Sequence, residues 1–95
     1  MITTVLKTLG TRQSQVFTEL LCFPQGVTAS ELAHAMHEIG FFRSPDRNNV
    51  HPRLNEMVGM DIVEIIGKKQ CSVTNKTVAV YKVSDEVFQA IREVL

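Results

Sequence analysis

The chain has 95 residues, 44% of them hydrophobic and 21% charged, and its ten Lys and Arg are balanced by ten Asp and Glu. A chain this short buries only about two-thirds of its unfolded surface, so it holds one domain with one modest core. Zero net charge excludes a strongly cationic, indiscriminate binder of polyanions. No apolar run approaches the roughly 20 residues that span a bilayer. Residues 1–7 lack the basic start and apolar centre of a signal peptide, so a cytoplasmic protein with no membrane association is expected. Cys22 and Cys71 are too far apart in sequence to form a metal-type pair, and Cys22, within Leu20-Leu21-Cys22-Phe23, is expected to be a buried reduced thiol.

In chain order, a first helix is expected over residues 11–22. Thr11 is its N-cap, Val16 and Leu20 lie on the inner side, and Pro24-Gln25-Gly26 ends the segment. Thr28-Ala29-Ser30-Glu31 is a capping box, in which the Thr28 hydroxyl and Glu31 carboxylate satisfy each other's free backbone donors. It opens a second helix with Leu32, Ala35, Met36 and Ile39 on one stripe and Gly40 at C′. Phe41-Phe42-Arg43 forms a loop covering the junction with a third helix. In that helix Val50, Leu54, Met57 and Val58 follow the i, i+4, i+7, i+8 spacing of a buried stripe. Ser44-Pro45 resembles a helix start, but Pro52 in a helix interior costs about 3 kcal/mol. The regular helix is therefore expected to begin at Asn48 or Asn49, after an irregular or 3₁₀ lead-in from Ser44, and to stop at Gly59.

Residues 62–66 and 77–83 have strand composition, with Thr74-Asn75-Lys76 as the turn between them. Residues 85–95 fit a terminal helix capped by Ser84, with Val87, Phe88, Ile91 and Leu95 on one face. Residues 1–10 are expected to pack on it as a helical turn or strand. The chain thus reads as a single α+β domain over residues 1–95, with a core of 11–83 and a C-terminal helix of 84–95. That helix carries apolar surface for completing the core or for a homodimer interface with the N-terminal segment.

This order resembles the winged helix-turn-helix family: a three-helix core, a β-hairpin wing and a C-terminal helix, as in small DNA-binding proteins of bacteria and their phages. The resemblance covers residues 11–83. It is carried by Thr28-Ala29-Ser30-Glu31-Leu32-Ala33, by Val50-His51-Pro52-Arg53-Leu54-Asn55-Glu56-Met57-Val58, and by Gly59-Met60-Asp61-Ile62-Val63-Glu64. It implies a regulatory protein that binds double-stranded DNA, with the third helix in the major groove and the wing on phosphate. It also implies phosphate contact by Thr28 and Ser30 through helix-end amides. Winged helices also dock proteins, so a module binding a host or partner protein without DNA is the competing expectation. The loop over residues 40–47 is longer than a minimal helix-turn-helix linker.

The residues themselves support an anionic partner. Residues 43–82 hold seven Lys and Arg against four Asp and Glu, a net +3, whereas residues 1–42 carry −1 and residues 83–95 carry −2. At 100° per residue Asn48, Asn49, Pro52, Asn55 and Glu56 turn outward on helix three, flanked by His51 and Arg53, with Arg43 and Arg47 ahead of them. Asparagine matches an adenine edge and arginine a guanine edge, while Glu56 suits DNA only if it reads cytosine or faces away. On the hairpin, Lys68, Lys69 and Lys76 offer point charges to phosphate, and Gln70, Thr74 and Asn75 offer neutral donors. The plainer alternative is a solvated helix face beside an edge hairpin whose lysines discourage aggregation. His34 and His37 lack a third ligand, and no nucleophile has a base partner. No metal, cofactor or enzymatic activity is expected.

Overall fold

The computed structural model describes residues 9–70 and 75–94, with side chains through residue 91. Helix α1 spans Thr11–Leu20. Its N-cap is Gly10 rather than Thr11: the Gly10 amide donates to Gln13 Oε1 at 2.9 Å, which satisfies a backbone donor at the helix start. Val16, Phe17 and Leu20 are buried. Cys22 lies beyond the helix and is exposed, because the chain turns at Leu21 and carries the thiol outward. Cys71 lies outside the described residues.

Strand β1 (Val27–Thr28) leads directly into α2 (Ala29–Glu38). The capping box is present, with the Glu31 amide donating to Thr28 Oγ1 at 3.2 Å and the Thr28 amide to Glu31 Oε1 at 3.2 Å. At the other end Gly40 is left-handed at φ +93°. Its amide donates to the His37 carbonyl, and the Phe41 amide donates to that of Met36, closing a Schellman motif. Leu32, Ala33 and Met36 form the buried stripe; Ile39, expected on it, is 57% exposed. Ile39 keeps its helical bond to the Ala35 carbonyl at 3.2 Å, but it lies on the last turn, and the chain is not buried again until Phe42.

A 3₁₀ turn (Arg47–Asn49), capped by the Asp46 side chain, precedes α3 (His51–Gly59). The regular helix starts two or three residues later than the sequence suggested. Pro52 then sits in the first turn, where no amide is required, and the first helical bond runs from the Leu54 amide to the Val50 carbonyl at 2.9 Å. Val50, Leu54 and Met57 are fully buried. Gly59 is the last helical residue but not the stop. The left-handed residue is Asp61 at φ 63°, with the Ile62 amide donating to the Met57 carbonyl and the Asp61 amide to that of Val58. This second Schellman closure packs buried Ile62 against buried Met57, so apolar contact sets the stop and aspartate tolerates the backbone that glycine would have adopted more cheaply.

Strands β2 (Val63–Gln70) and β3 (Thr77–Val83) pair antiparallel, and β1 adds to the far side of β3, giving the order β1-β3-β2 among the described residues. Ile65 faces Tyr81 and Gly67 faces Val80, so Ile66 is an inserted bulge residue. Asn75, in the connection, has φ 60°, the left-handed backbone expected of an asparagine turn; Thr74 lies outside the described residues. Gly26, before β1, has φ +100°, and a Cβ there would stand 2.7 Å from Val80 Cγ1 and 2.8 Å from Ile66 Cδ1. The bare backbone lets β1 close onto the sheet.

Helix α4 (Asp85–Val94) follows β3 without a loop. Val87 completes the core, with Phe88 and Ile91 packed partly against it. The Ser84 carbonyl accepts from the Phe88 amide, but the Ser84 hydroxyl has no hydrogen-bond partner and does not cap. Lys82 instead pairs with Asp85, whose charge favours the helix start. The expected packing of residues 1–8 lies outside the described residues.

Candidate nucleic-acid interface

The positions flanking α3 divide between two surfaces. On the hairpin side, Arg47 and His51 meet Lys68 from β2, with Thr77, Ala79 and Tyr81 from β3 and Ala29 and Ser30 from the start of α2, around an open cleft of about 210 Å³. Among the described residues no carboxylate lines it. The Tyr81 hydroxyl donates to Asn55 Oδ1 at 3.2 Å, Asn55 Nδ2 lies 3.5 Å from His51 Nε2, and the His51 and Tyr81 rings meet edge to face at 6.4 Å. Burial, and then the nearby Arg47 guanidinium, hold His51 below the ordinary imidazole value. Burial raises Tyr81 above the usual phenol value, against an opposing effect of Arg47. At neutral pH the cleft therefore holds two full positive charges, a neutral imidazole and a phenol donor.

On the opposite side, Asn48, Asn49, Pro52 and Arg53 line an open hollow of about 390 Å³ with Arg12 of α1. Arg12 was not singled out in the sequence, because nothing near residue 12 announces which helix it faces. Its guanidinium stacks 4.7 Å from the ring centre of buried Phe42. His37 Nδ1 donates to the Phe42 carbonyl at 2.9 Å. These contacts anchor the long loop before α3 and so fix how the helix is presented. Asn49 is half-buried and donates to the Ser44 carbonyl at 3.2 Å, whereas Asn48 is exposed.

Glu56 faces away from the cleft. One carboxylate oxygen takes Gln13 Nε2 of α1 at 2.8 Å and the other takes Arg53 at 3.0 Å, so the acid on the exposed face is neutralised locally. On the hairpin, Lys69 reaches back to Glu31 Oε1 at 3.1 Å and ties β2 to the start of α2. Gln70 Nε2 donates to the Asn75 carbonyl at 3.3 Å, bracing the hairpin. Arg43, Asn75 and Lys76 are exposed; Arg43 belongs to the loop before α3, and the other two lie at the far end of the hairpin. The structure thus brings Arg47, His51, Asn55 and Lys68 together, sets Asn48, Asn49 and Arg53 on the other flank of the same helix, and engages Lys69 within the protein.

Among the described residues no group of three or more His, Cys, Asp or Glu side chains is placed to hold a metal ion. No helix there is long and apolar enough to cross a membrane.

No protein-family model matches the chain, and no curated protein matches it. Among solved structures it is similar to a PadR-like transcriptional regulator from Bacillus cereus strain ATCC 14579. The TM-score is 0.61 at 20% sequence identity, over 83% of this chain and 75% of that one. At that identity the likeness speaks for architecture: three packed helices, a β-hairpin after the third and a helix at the C-terminal end make this chain a winged helix.

Proposed function

We propose that the chain is a small cytoplasmic regulator of transcription, without enzymatic activity, that binds double-stranded DNA sequence-selectively. Helix α3 enters the major groove and the hairpin lies on the phosphate backbone. The convergence of Arg47, His51 and Lys68 on one carboxylate-free cleft beside α3 carries this reading. The similar Bacillus cereus protein is a transcriptional regulator, which favours it as well. Asn55 and exposed Asn48 face base edges in this arrangement, while Arg53 and Arg12 lie toward the second strand's backbone. Lys68, with Gln70, Asn75 and Lys76 farther out, follows the first strand, and Thr74 is assigned to the same contact from the sequence. Lys69 serves mainly to hold the hairpin down. Residues 1–10 and α4, whose Phe88 and Ile91 are only half-buried, form a homodimer contact that doubles the weak reading of one half-site.

Fluorescence anisotropy on a mixed pool of genomic duplexes, titrated across salt, tests the assignment. Affinity should fall steeply as salt rises, because each phosphate contact releases condensed counterions. Light scattering tests the dimer. Absence of binding at low salt would transfer the function to protein docking, a reading favoured by Ile39 and Phe41, exposed at 57% and 46% at the end of α2.

A further inference from the structure

We propose that the cleft between α3 and the hairpin is a proton-linked oxyanion site: it seats one phosphate group, and His51 takes up a proton as the site fills. The claim rests on the DNA-binding reading for the identity of the phosphate, a backbone phosphodiester, but the cleft chemistry stands by itself.

The groups around His51 come from every element that packs on it. Arg47 approaches from the 3₁₀ turn, Lys68 from β2 and the Tyr81 hydroxyl from β3, while Ala29 and Ser30 of α2 contribute no ionisable side chain. Asn55, one turn along α3, presents its amide nitrogen to His51 Nε2. Lys68 forms no ion pair among the described residues, whereas its neighbour Lys69 is held by Glu31 at 3.1 Å. Among the described residues, the cationic groups lining the cleft therefore stand together without a counter-charge. In that state imidazolium is disfavoured, by partial burial first and by Arg47 second. An anion entering between Arg47 and Lys68 reverses the electrostatic contribution and favours the charged imidazole. His51 then becomes a donor at both ring nitrogens, gives up acceptance from the Asn55 amide at Nε2, and has a ring N–H available to the bound oxygen. About 210 Å³ accommodates a tetrahedral oxyanion and leaves no room for a large effector.

Linkage fixes the sign. If the occupied site holds the proton more tightly than the empty one, affinity rises as pH falls through the window between the two titrations, and the gain saturates below both.

The test uses the whole chain and two probes whose charge is constant from pH 5 to 8: inorganic sulfate, and a DNA duplex at fixed ionic strength. The His51 ring protons are followed by NMR across pH, with each probe and without. Sulfate and duplex should both move the His51 midpoint upward. Duplex affinity should rise about fivefold or more on acidification; His51→Gln should remove that rise, and Lys68→Gln should weaken sulfate binding while leaving the fold intact by circular dichroism. If sulfate moves His51 but the duplex neither moves it nor binds, the oxyanion site stands for a free phosphate ester and the DNA reading fails. If the duplex binds tightly with His51 unmoved by either probe, the proton-linked site is overturned and the DNA reading survives.

Discussion

Tyr81 donates its hydroxyl to Asn55 Oδ1 at 3.2 Å and so joins the central strand to the exposed face of α3. Tyr81 is 3% exposed, and its phenol, protonated at neutral pH in any case, is moved still higher by burial. Tyr81→Phe keeps the ring in the core and removes only the bond. Stability should fall by about 1 kcal/mol, the usual net worth of one hydrogen bond whose acceptor can reach water. A urea titration should show a lower midpoint at unchanged slope. An unchanged midpoint would mean that the bond does not persist in solution.

Adjacent lysines should behave differently. Lys68 faces the cleft, whereas Lys69 is paired with Glu31. Lys68→Gln should reduce the slope of log affinity against log salt by about 0.9, one phosphate contact. Lys69→Gln should leave the slope nearly unchanged and cost at most about 1 kcal/mol of stability, as a partly exposed ion pair does. Equal slopes for the two variants would remove the distinction.

At Gly26 the expectation is structural. The positive φ and the distances of 2.7 and 2.8 Å to Val80 and Ile66 leave no place for a methyl group. Gly26→Ala should cost about 2 kcal/mol or more, from left-handed backbone strain and overpacking together. The thermal midpoint reports the loss, and a variant as stable as the parent would show that β1 does not close as described.

The depressed His51 also makes a pH prediction for stability in the absence of ligand. Its value in the folded chain lies below the ordinary 6.5, so the unfolded chain binds the proton more readily. The His51 contribution is fully present above the unfolded value and is lost as pH falls through the folded one. His51→Gln should flatten this part of the stability–pH curve just below neutrality. Denaturant midpoints measured between pH 5 and 8 provide the comparison, and parallel curves for parent and variant would count against it.

The sequence carried the elements whose signals are local. The capping box at Thr28 and Glu31, the glycine closure at Gly40 and the stripe of Val50, Leu54 and Met57 each depend on residues within two turns of one another. The misjudged features depend on partners distant in sequence. Ile39 has the spacing of a core residue, but it falls on the last turn of its helix, where the chain is not buried again until Phe42. Gly59 looked like the helix stop, yet Ile62 packing on Met57 moved the closure to Asp61. Cys22 sat in an apolar run and still emerged at the surface. The candidate site followed the same division. A net +3 over residues 43–82 located the charge, but only the fold shows that Glu31 claims Lys69, that Gln13 and Arg53 quiet Glu56, and that Arg12 joins α3 from another helix.

The single inserted residue at Ile66 has a consequence for the lysine pair. Paired residues share a side of the sheet, and the observed ladder sets Lys68 opposite Ala79 and Lys69 opposite Val78. A ladder continuing evenly from Ile65 and Tyr81 would instead match Gly67 with Ala79, Lys68 with Val78 and Lys69 with Thr77, exchanging the sides of the two lysines. One extra amino acid thus acts as a phase selector: it decides which ammonium group is offered to a ligand and which is spent as an internal tether.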